Sequence, residues 1–185
     1  VEKDRIQLFC EAAGVWPCFP LTRYYVRDSE RAEAQAYIEH DGLRDGHAYR
    51  PTPPAGKQAS KRGLIGLQPF STDPARDWPE AHWVILANSL AAAGFGVVVF
   101  DSCERPHRFR HARCTRRPLW FTAALIAECD LIITPDSGLF HLAAAVDVPA
   151  LGLFASRSGE IMSRWYPKAR WLSPAPDVPK PDACP

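Results

Sequence analysis

The sequence predicts an α/β fold in which helices cover both faces of a parallel sheet. From Gly63 onward, short apolar runs of strand length alternate with helical patterns, and the connections between them are short. The runs do not alternate in polarity: Gly96–Phe100 is a continuous, mostly β-branched stretch, which is typical of a strand buried on both faces. Strands that alternate with helices form crossover units. The expected architecture is therefore a Rossmann-like layer.

Each strand is a short apolar run bounded by a turn signal. The first ends before Pro69, the second follows Gly94, and the third stops at Pro135. The predicted strands are Leu64–Leu67, Gly96–Phe100, Leu131–Thr134, Ala150–Phe154 and Arg170–Leu172.

Four helices are predicted between these strands: Pro79–Ala93, Leu119–Cys129, Ser137–Asp147 and the weaker Ser158–Trp165. The first has a helical stripe of apolar residues at positions 83, 86, 87 and 90, with Pro79 in its first turn and Gly94 after its end. The second is apolar nearly all round. In the third, the predicted inward stripe is Leu139, Leu142, Ala143 and Val146.

Residues 1–62 and 174–185 differ in composition from the sheet between them. The first part predicts a helix (4–13), a short alternating strand (21–26) and a polar helix (29–41), followed by a linker that has no periodicity. These elements are too few to bury a core of their own. Proline clusters mark the linker and the last residues, so we expect three segments: 1–62, 63–173 and a proline-rich tail, 174–185.

Composition and charge exclude several classes of function. The 185 residues are 46% hydrophobic and carry a net charge of +1, which gives no global field toward nucleic acid. No apolar run has the length of a membrane helix, and the charged N-terminus lacks the pattern of a signal peptide. Six cysteines without a C-x-x-C pair favour a reduced, cytoplasmic protein. A start at Val1 instead of Met suggests a processed or truncated chain.

The first candidate site follows the strand that ends at Thr134. A carboxylate, a hydroxyl and a glycine (Asp136, Ser137, Gly138) open the next helix, and His141 lies one turn further on. The N-terminus of a helix offers unpaired N–H groups and a positive dipole end, and glycine lets a ligand approach the backbone. These residues predict an anion site suited to phosphate. The structural alternative is an ordinary N-cap with a buried structural histidine.

A second junction of the same kind follows the first strand of the sheet. It supplies two hydroxyls and a cation, Ser71, Thr72 and Arg76, before a helix that starts at a proline. Alone, this segment is equally consistent with a polar turn. Because the carboxyl ends of parallel strands share one edge of the sheet, the two junctions are expected to converge on a cleft suited to a diphosphate.

The two motifs, PFSTDPARDWPEAHW and PDSGLFHLAAAVDVPALGLFA, resemble the donor half of glycosyltransferase family 9, the heptosyltransferase family of lipopolysaccharide core assembly. The resemblance is clear over roughly residues 63–166 and weaker over residues 1–43. It implies the C-terminal half of a GT-B fold, a nucleotide-sugar donor such as ADP-heptose, a glycan or lipid-linked glycan acceptor, and no cofactor. Residues 1–62 would then be a remnant of the acceptor domain plus a linker, and the missing domain would supply the catalytic base and any peripheral contact with the inner face of the membrane.

Carried across residue by residue, the resemblance implies particular roles. Ser71 and Thr72 match a hydroxyl pair near the phosphates, and Arg76 stands where the family usually has lysine. Asp136, Ser137, Gly138 and His141 match a D-[ST]-G-x-x-H motif, whose carboxylate faces the sugar. Glu104 matches an acidic residue that binds the ribose. The chain departs from the family in its loop 101–118 and at residues 154–157, where the usual F-G-P-T reads Phe-Ala-Ser-Arg.

Other functions have weaker sequence support. A non-catalytic nucleotide-binding or interaction module remains the main alternative. Cys103, His107, His111 and Cys114 could in principle hold zinc, but their order is interleaved and six arginines accompany them, so a solvated basic loop is preferred. A serine hydrolase lacks the G-x-S-x-G elbow, and a P-loop motif does not occur.

Overall fold

In the part of the chain that the structure describes, six strands form one sheet, and every pair of neighbouring strands runs parallel. The computed structural model describes residues 10–14, 22–44, 62–101, 109 and 112–174. The order of the strands in the sheet is β3-β2-β1-β4-β5-β6. The strands are β1 (Arg62–Leu67), β2 (Phe95–Phe100), β3 (Arg113–Thr115), β4 (Leu131–Pro135), β5 (Ala150–Leu153) and β6 (Ala169–Leu172). The α-helices are α1 (Asp28–His40), α2 (Glu80–Ala92), α3 (Leu119–Ala127), α4 (Gly138–Ala145) and α5 (Gly159–Ser163), with a 3-10 turn at Pro74–Arg76.

Alternate residues of the central strands enter two separate hydrophobic cores. Ile65 and Val97 point to one face of the sheet, where they meet Trp83 of α2. Leu64 and Val98 point to the other face, which α1, α3 and α4 cover. Because successive side chains of a strand leave opposite faces, an apolar run without alternation requires a cover on each side. The predicted parallel sheet with helices on both faces is confirmed.

Helix α1 packs into the same core as the sheet. Ala34 and Ile38 of this helix are buried there, together with Leu43. A polar contact adds to this packing: the Glu128 carboxylate after α3 accepts a hydrogen bond of 2.6 Å from Nη1 of Arg31. Residues 28–44, which the sequence assigns to the segment before the sheet, therefore bury their apolar face against the sheet, as a segment too small for its own core must.

Two local expectations about strands are wrong. The alternating pattern over 21–26 does not form a strand in residues 22–26. The N–H of Tyr24 instead donates to the carbonyl of Ala145 at the end of α4. The acceptor is therefore a carbonyl at the C-terminus of a helix and not a carbonyl of a neighbouring strand. Conversely, β3 lies in the stretch predicted as a solvated loop. This strand is only three residues long and begins with the exposed Arg113, so its sequence shows no apolar run that would indicate a strand. It is recognised as a strand only by its pairing with β2.

The predicted inward stripe of α4 is out of phase. Phe140 is fully buried between the rings of Phe154 and Tyr166, whereas Leu139 and Leu142 are only half-buried. Ala143 is buried as expected. Because α4 is short and apolar on most of its surface, its periodicity does not fix which side faces the sheet.

Candidate functional site

The two predicted junctions lie side by side at the carboxyl edge of the sheet. Strands β1 and β4 are hydrogen-bonded neighbours, so the turns that follow them emerge next to each other. The backbone pairing continues past β1, where Gln68 N–H donates to the carbonyl of Ile133 at 2.9 Å. Open parallel sheets bind ligands at this edge.

Arg76 joins the two junctions. Its Nη1 donates to the backbone carbonyl of Asp136 at 3.0 Å, and its Nη2 donates to Thr72 Oγ1 at 3.1 Å. Its Nε lies 3.4 Å from a carboxylate oxygen of Asp73. The Arg76 side chain is only 19% exposed. This arginine therefore ties its own turn to the start of α4, in addition to supplying positive charge.

The turn after β1 is shaped by its own polar groups. Asp73 accepts from the N–H of Ala75 and caps the 3-10 turn, while the Ser71 hydroxyl donates to the carbonyl of Asp73 at 2.7 Å. The N–H of Ser71 donates to a carboxylate oxygen of Asp77, also at 2.7 Å. Ser71 and Thr72 thus lie in the turn that follows β1, and both hydroxyls are engaged within this turn.

Ser137 occupies the N-cap position of α4 without capping it. Its hydroxyl bonds to Thr134 Oγ1 at 2.8 Å and donates to Oε1 of Gln68. The structural alternative of an ordinary N-cap is therefore wrong for this side chain, because its hydroxyl bonds to Thr134 on β4 and to Gln68 just after β1, and not to the helix. A Cβ built on Gly138 would meet no atom within 4 Å. The Ser137 side chain thus leaves the N–H groups of the first turn of α4 uncapped, and the space beside Gly138 is open.

Asp136 is a buried carboxylate at this opening. Its side chain is 6% exposed, and Oδ2 has no hydrogen-bond partner in the described part of the chain. Two guanidinium groups flank that oxygen: Arg76 Nη1 at 3.8 Å and Arg157 Nε at 3.3 Å. The carboxylate is therefore balanced by charge, but the hydrogen-bonding capacity of its buried Oδ2 is not used by the described residues.

His141 is held by a hydrogen bond between its Nδ1 and the hydroxyl of Tyr166, at 2.7 Å. The imidazole ring also meets Phe140 and Tyr166 edge to face. Burial lowers the pKa of His141 below its usual value, and the nearby charge of Asp136 partly opposes this shift. The imidazole is therefore neutral near pH 7, and one of its two nitrogens is engaged by Tyr166.

Comparison with known proteins gives the family of the chain. The family model described as glycosyltransferase family 9 (heptosyltransferase) matches residues 3–182. The chain belongs to this glycosyltransferase family. Lipopolysaccharide heptosyltransferase 2 of Salmonella typhimurium is 34% identical over 127 residues, which are 60% of this chain and 36% of that protein. This family 9 chain therefore matches about a third of the length of that curated relative.

Two solved structures share the fold of this family 9 chain. E. coli ADP-heptose LPS heptosyltransferase II has a TM-score of 0.60 at 25% identity, covering 81% of this chain and 44% of that one. The glycosyl transferase family 9 protein of Veillonella parvula has a TM-score of 0.68 at 20% identity, covering 94% and 51% respectively. The second likeness supports the fold alone.

Most of the predicted site residues of this family 9 chain come together. The exception is Glu104, which lies outside the described residues. Three of the four residues considered for zinc lie outside them as well, and the fourth, Cys114, is half-buried in β3. Among the described residues, no group of three or more His, Cys, Asp or Glu side chains could hold a metal ion. None of the described helices has the length and apolarity needed to cross a membrane.

Sequence reasoning missed three polar residues of this region: Gln68, Arg157 and Tyr166. Gln68 directly follows β1, and Arg157 follows β5, whose end lies beside that of β4. Polar side chains just after parallel strands are the signal that could have indicated both. Tyr166 follows α5 and reaches His141 only through the tertiary fold.

Proposed function

We propose that this family 9 chain is the donor-binding half of a two-domain GT-B glycosyltransferase and binds a nucleoside-diphosphate sugar, with ADP-heptose as the first candidate. The observation that carries the proposal is Arg76, which bridges two strand-to-helix junctions beside the uncapped start of α4. A guanidinium and a helix N-terminus that converge at one sheet edge suit a diphosphate. The lipopolysaccharide-type acceptor is proposed from the relatives.

Each group has a distinct task in this proposal. The N–H groups of α4 and the Arg76 guanidinium bind the phosphates, and Gly138 lets them approach the backbone. The Asp136 carboxylate accepts a hydrogen bond from a sugar hydroxyl. His141 donates to the diphosphate while neutral. Charge that develops on the leaving nucleoside diphosphate is stabilised by these fixed donors, so the transfer requires no resident cofactor.

The remaining steps require parts of the protein outside the described site. The base that deprotonates the acceptor would come from the other domain, with displacement at the sugar carbon inverting its configuration. We place the reaction in the cytoplasm, at the inner face of the membrane. The alternative is a nucleotide-binding module without transfer activity. Detection of heptose transfer by the full-length gene product would exclude this alternative.

Isothermal titration with ADP, GDP and UDP tests the binding proposal directly. A folded sample of this chain is expected to bind ADP, and the absence of heat with all three nucleotides would refute the donor site. His141→Ala should weaken the binding of ADP more than that of adenosine. Equal losses would contradict a role at the diphosphate.

His40→Ala is a matched control for this experiment. His40 is 86% exposed and bonds to Asp41, which pairs with Arg113 at the start of β3. It therefore lies at the opposite edge of the sheet from α4's first turn. Its replacement should leave ADP affinity unchanged within about twofold.

A further inference from the structure

A third strand contributes a cation to the candidate site. β5 pairs with β4 in parallel, and Arg157 follows the end of β5 by four residues. The guanidinium reaches the junction after β4, where its Nε lies 3.3 Å from Oδ2 of Asp136. Among the described residues, two arginines from two different loops therefore bring positive charge to Asp136.

Arg76 and Arg157 differ in their exposure and in the number of hydrogen bonds that they donate to the protein. Arg76 is 19% exposed and donates to two protein oxygens. Arg157 is 48% exposed, and its contact with Asp136 is an ion pair in which Oδ2 receives no hydrogen bond. A buried carboxylate oxygen without a hydrogen bond is costly, so this contact is an incomplete pairing. Arg157 therefore retains donors that can face a ligand.

We propose that Arg157 binds the diphosphate of the donor and sets the preference for diphosphates over monophosphates. This inference rests on the proposed nucleotide site. A single phosphate is met by the N–H groups of α4, while a second phosphate adds charge that requires another cation. The planar guanidinium can bind two phosphate oxygens at once, and its half-exposed position allows it to exchange Asp136 for the ligand.

The test compares the binding of ADP and AMP to wild-type protein and Arg157→Gln. The variant is expected to lose at least tenfold in ADP affinity and less than twofold in AMP affinity, while Arg157→Lys regains part of the ADP affinity. Arg170→Gln is the matched control, because Arg170 bonds to carbonyls at the start of β6, on the opposite edge. Unchanged ADP affinity in Arg157→Gln would overturn the inference.

A double-mutant cycle separates phosphate binding from mere neutralisation of Asp136. If Arg157 binds the diphosphate, Arg157→Gln still lowers ADP affinity when Asp136 is replaced by Asn. If its loss acts only by leaving Asp136 unpaired, the effect disappears in the Asp136→Asn background and the inference is wrong. Failure of the wild-type chain to bind ADP would instead refute the proposed donor site itself.

Discussion

Replacement of Gly138 by alanine should stabilise the fold and weaken ligand binding at the same time. A Cβ added at this position would meet no atom within 4 Å, so the folded state accepts the methyl group without a clash. Alanine also restricts the unfolded chain, which contributes about 0.4–1 kcal/mol to stability. For a chain of this size, such a gain raises the melting temperature by roughly 1–4 °C.

The same methyl group interferes with an anion at the helix start. Cα–Cβ bonds tilt toward the N-terminus of a helix, so the new methyl projects toward the side from which a phosphate approaches the N–H groups. An N–H···O bond requires about 2.9 Å between nitrogen and oxygen, which brings the phosphate oxygen close to the added carbon. We expect at least a tenfold loss of ADP affinity, about 1.4 kcal/mol.

Thermal unfolding and isothermal titration of Gly138→Ala measure both effects on one sample. Gly96→Ala is the opposite control, since its Cβ would lie 1.8 Å from the carbonyl oxygen of Leu43, and it should destabilise the protein. An ADP affinity in Gly138→Ala equal to that of the wild type would refute our view of the helix start as the phosphate site. A lowered melting temperature would refute the inferred open space.

Three further predictions concern stability and reactivity. Glu128→Gln weakens the half-buried ion pair with Arg31 and should cost about 1 kcal/mol in urea unfolding, whereas the exposed Glu39→Gln should cost nothing measurable. Burial lowers the pKa of His141 in the folded state, whereas in the unfolded chain this histidine has the usual pKa of about 6.5. As the pH falls through this range, the unfolded chain therefore binds more protons than the folded protein. Wild-type stability should therefore fall as the pH drops below about 7, more steeply than that of His141→Gln; equal slopes would contradict this. Burial raises the pKa of Cys129, so alkylation at about pH 8, mapped by mass spectrometry, should modify this thiol only after unfolding.

The sequence predicted the type and order of most elements because those signals are local. The apolar run 96–100 and the helical stripe around Trp83 follow from strand and helix periods within a few residues. Gly94, placed after the first predicted helix, has φ of +90°, as its position at the helix end suggested. Where the pattern was short or uniform, as at β3 and α4, local periodicity gave the wrong answer.

The candidate site was predictable only as a set of residues that follow parallel strands. The sequence itself predicted that Arg76, Asp136 and His141 belong to two junctions at one edge of a sheet, and the structure places these junctions after the neighbouring strands β1 and β4. The tertiary structure decided their partners: Ser137 bonds to Gln68 instead of capping α4, Arg157 reaches Asp136, and Tyr166 holds His141. The physical reason is distance along the chain. A helix or strand is stabilised by neighbours a few residues away, whereas a side-chain hydrogen bond such as the one between positions 68 and 137 exists only after the chain has folded.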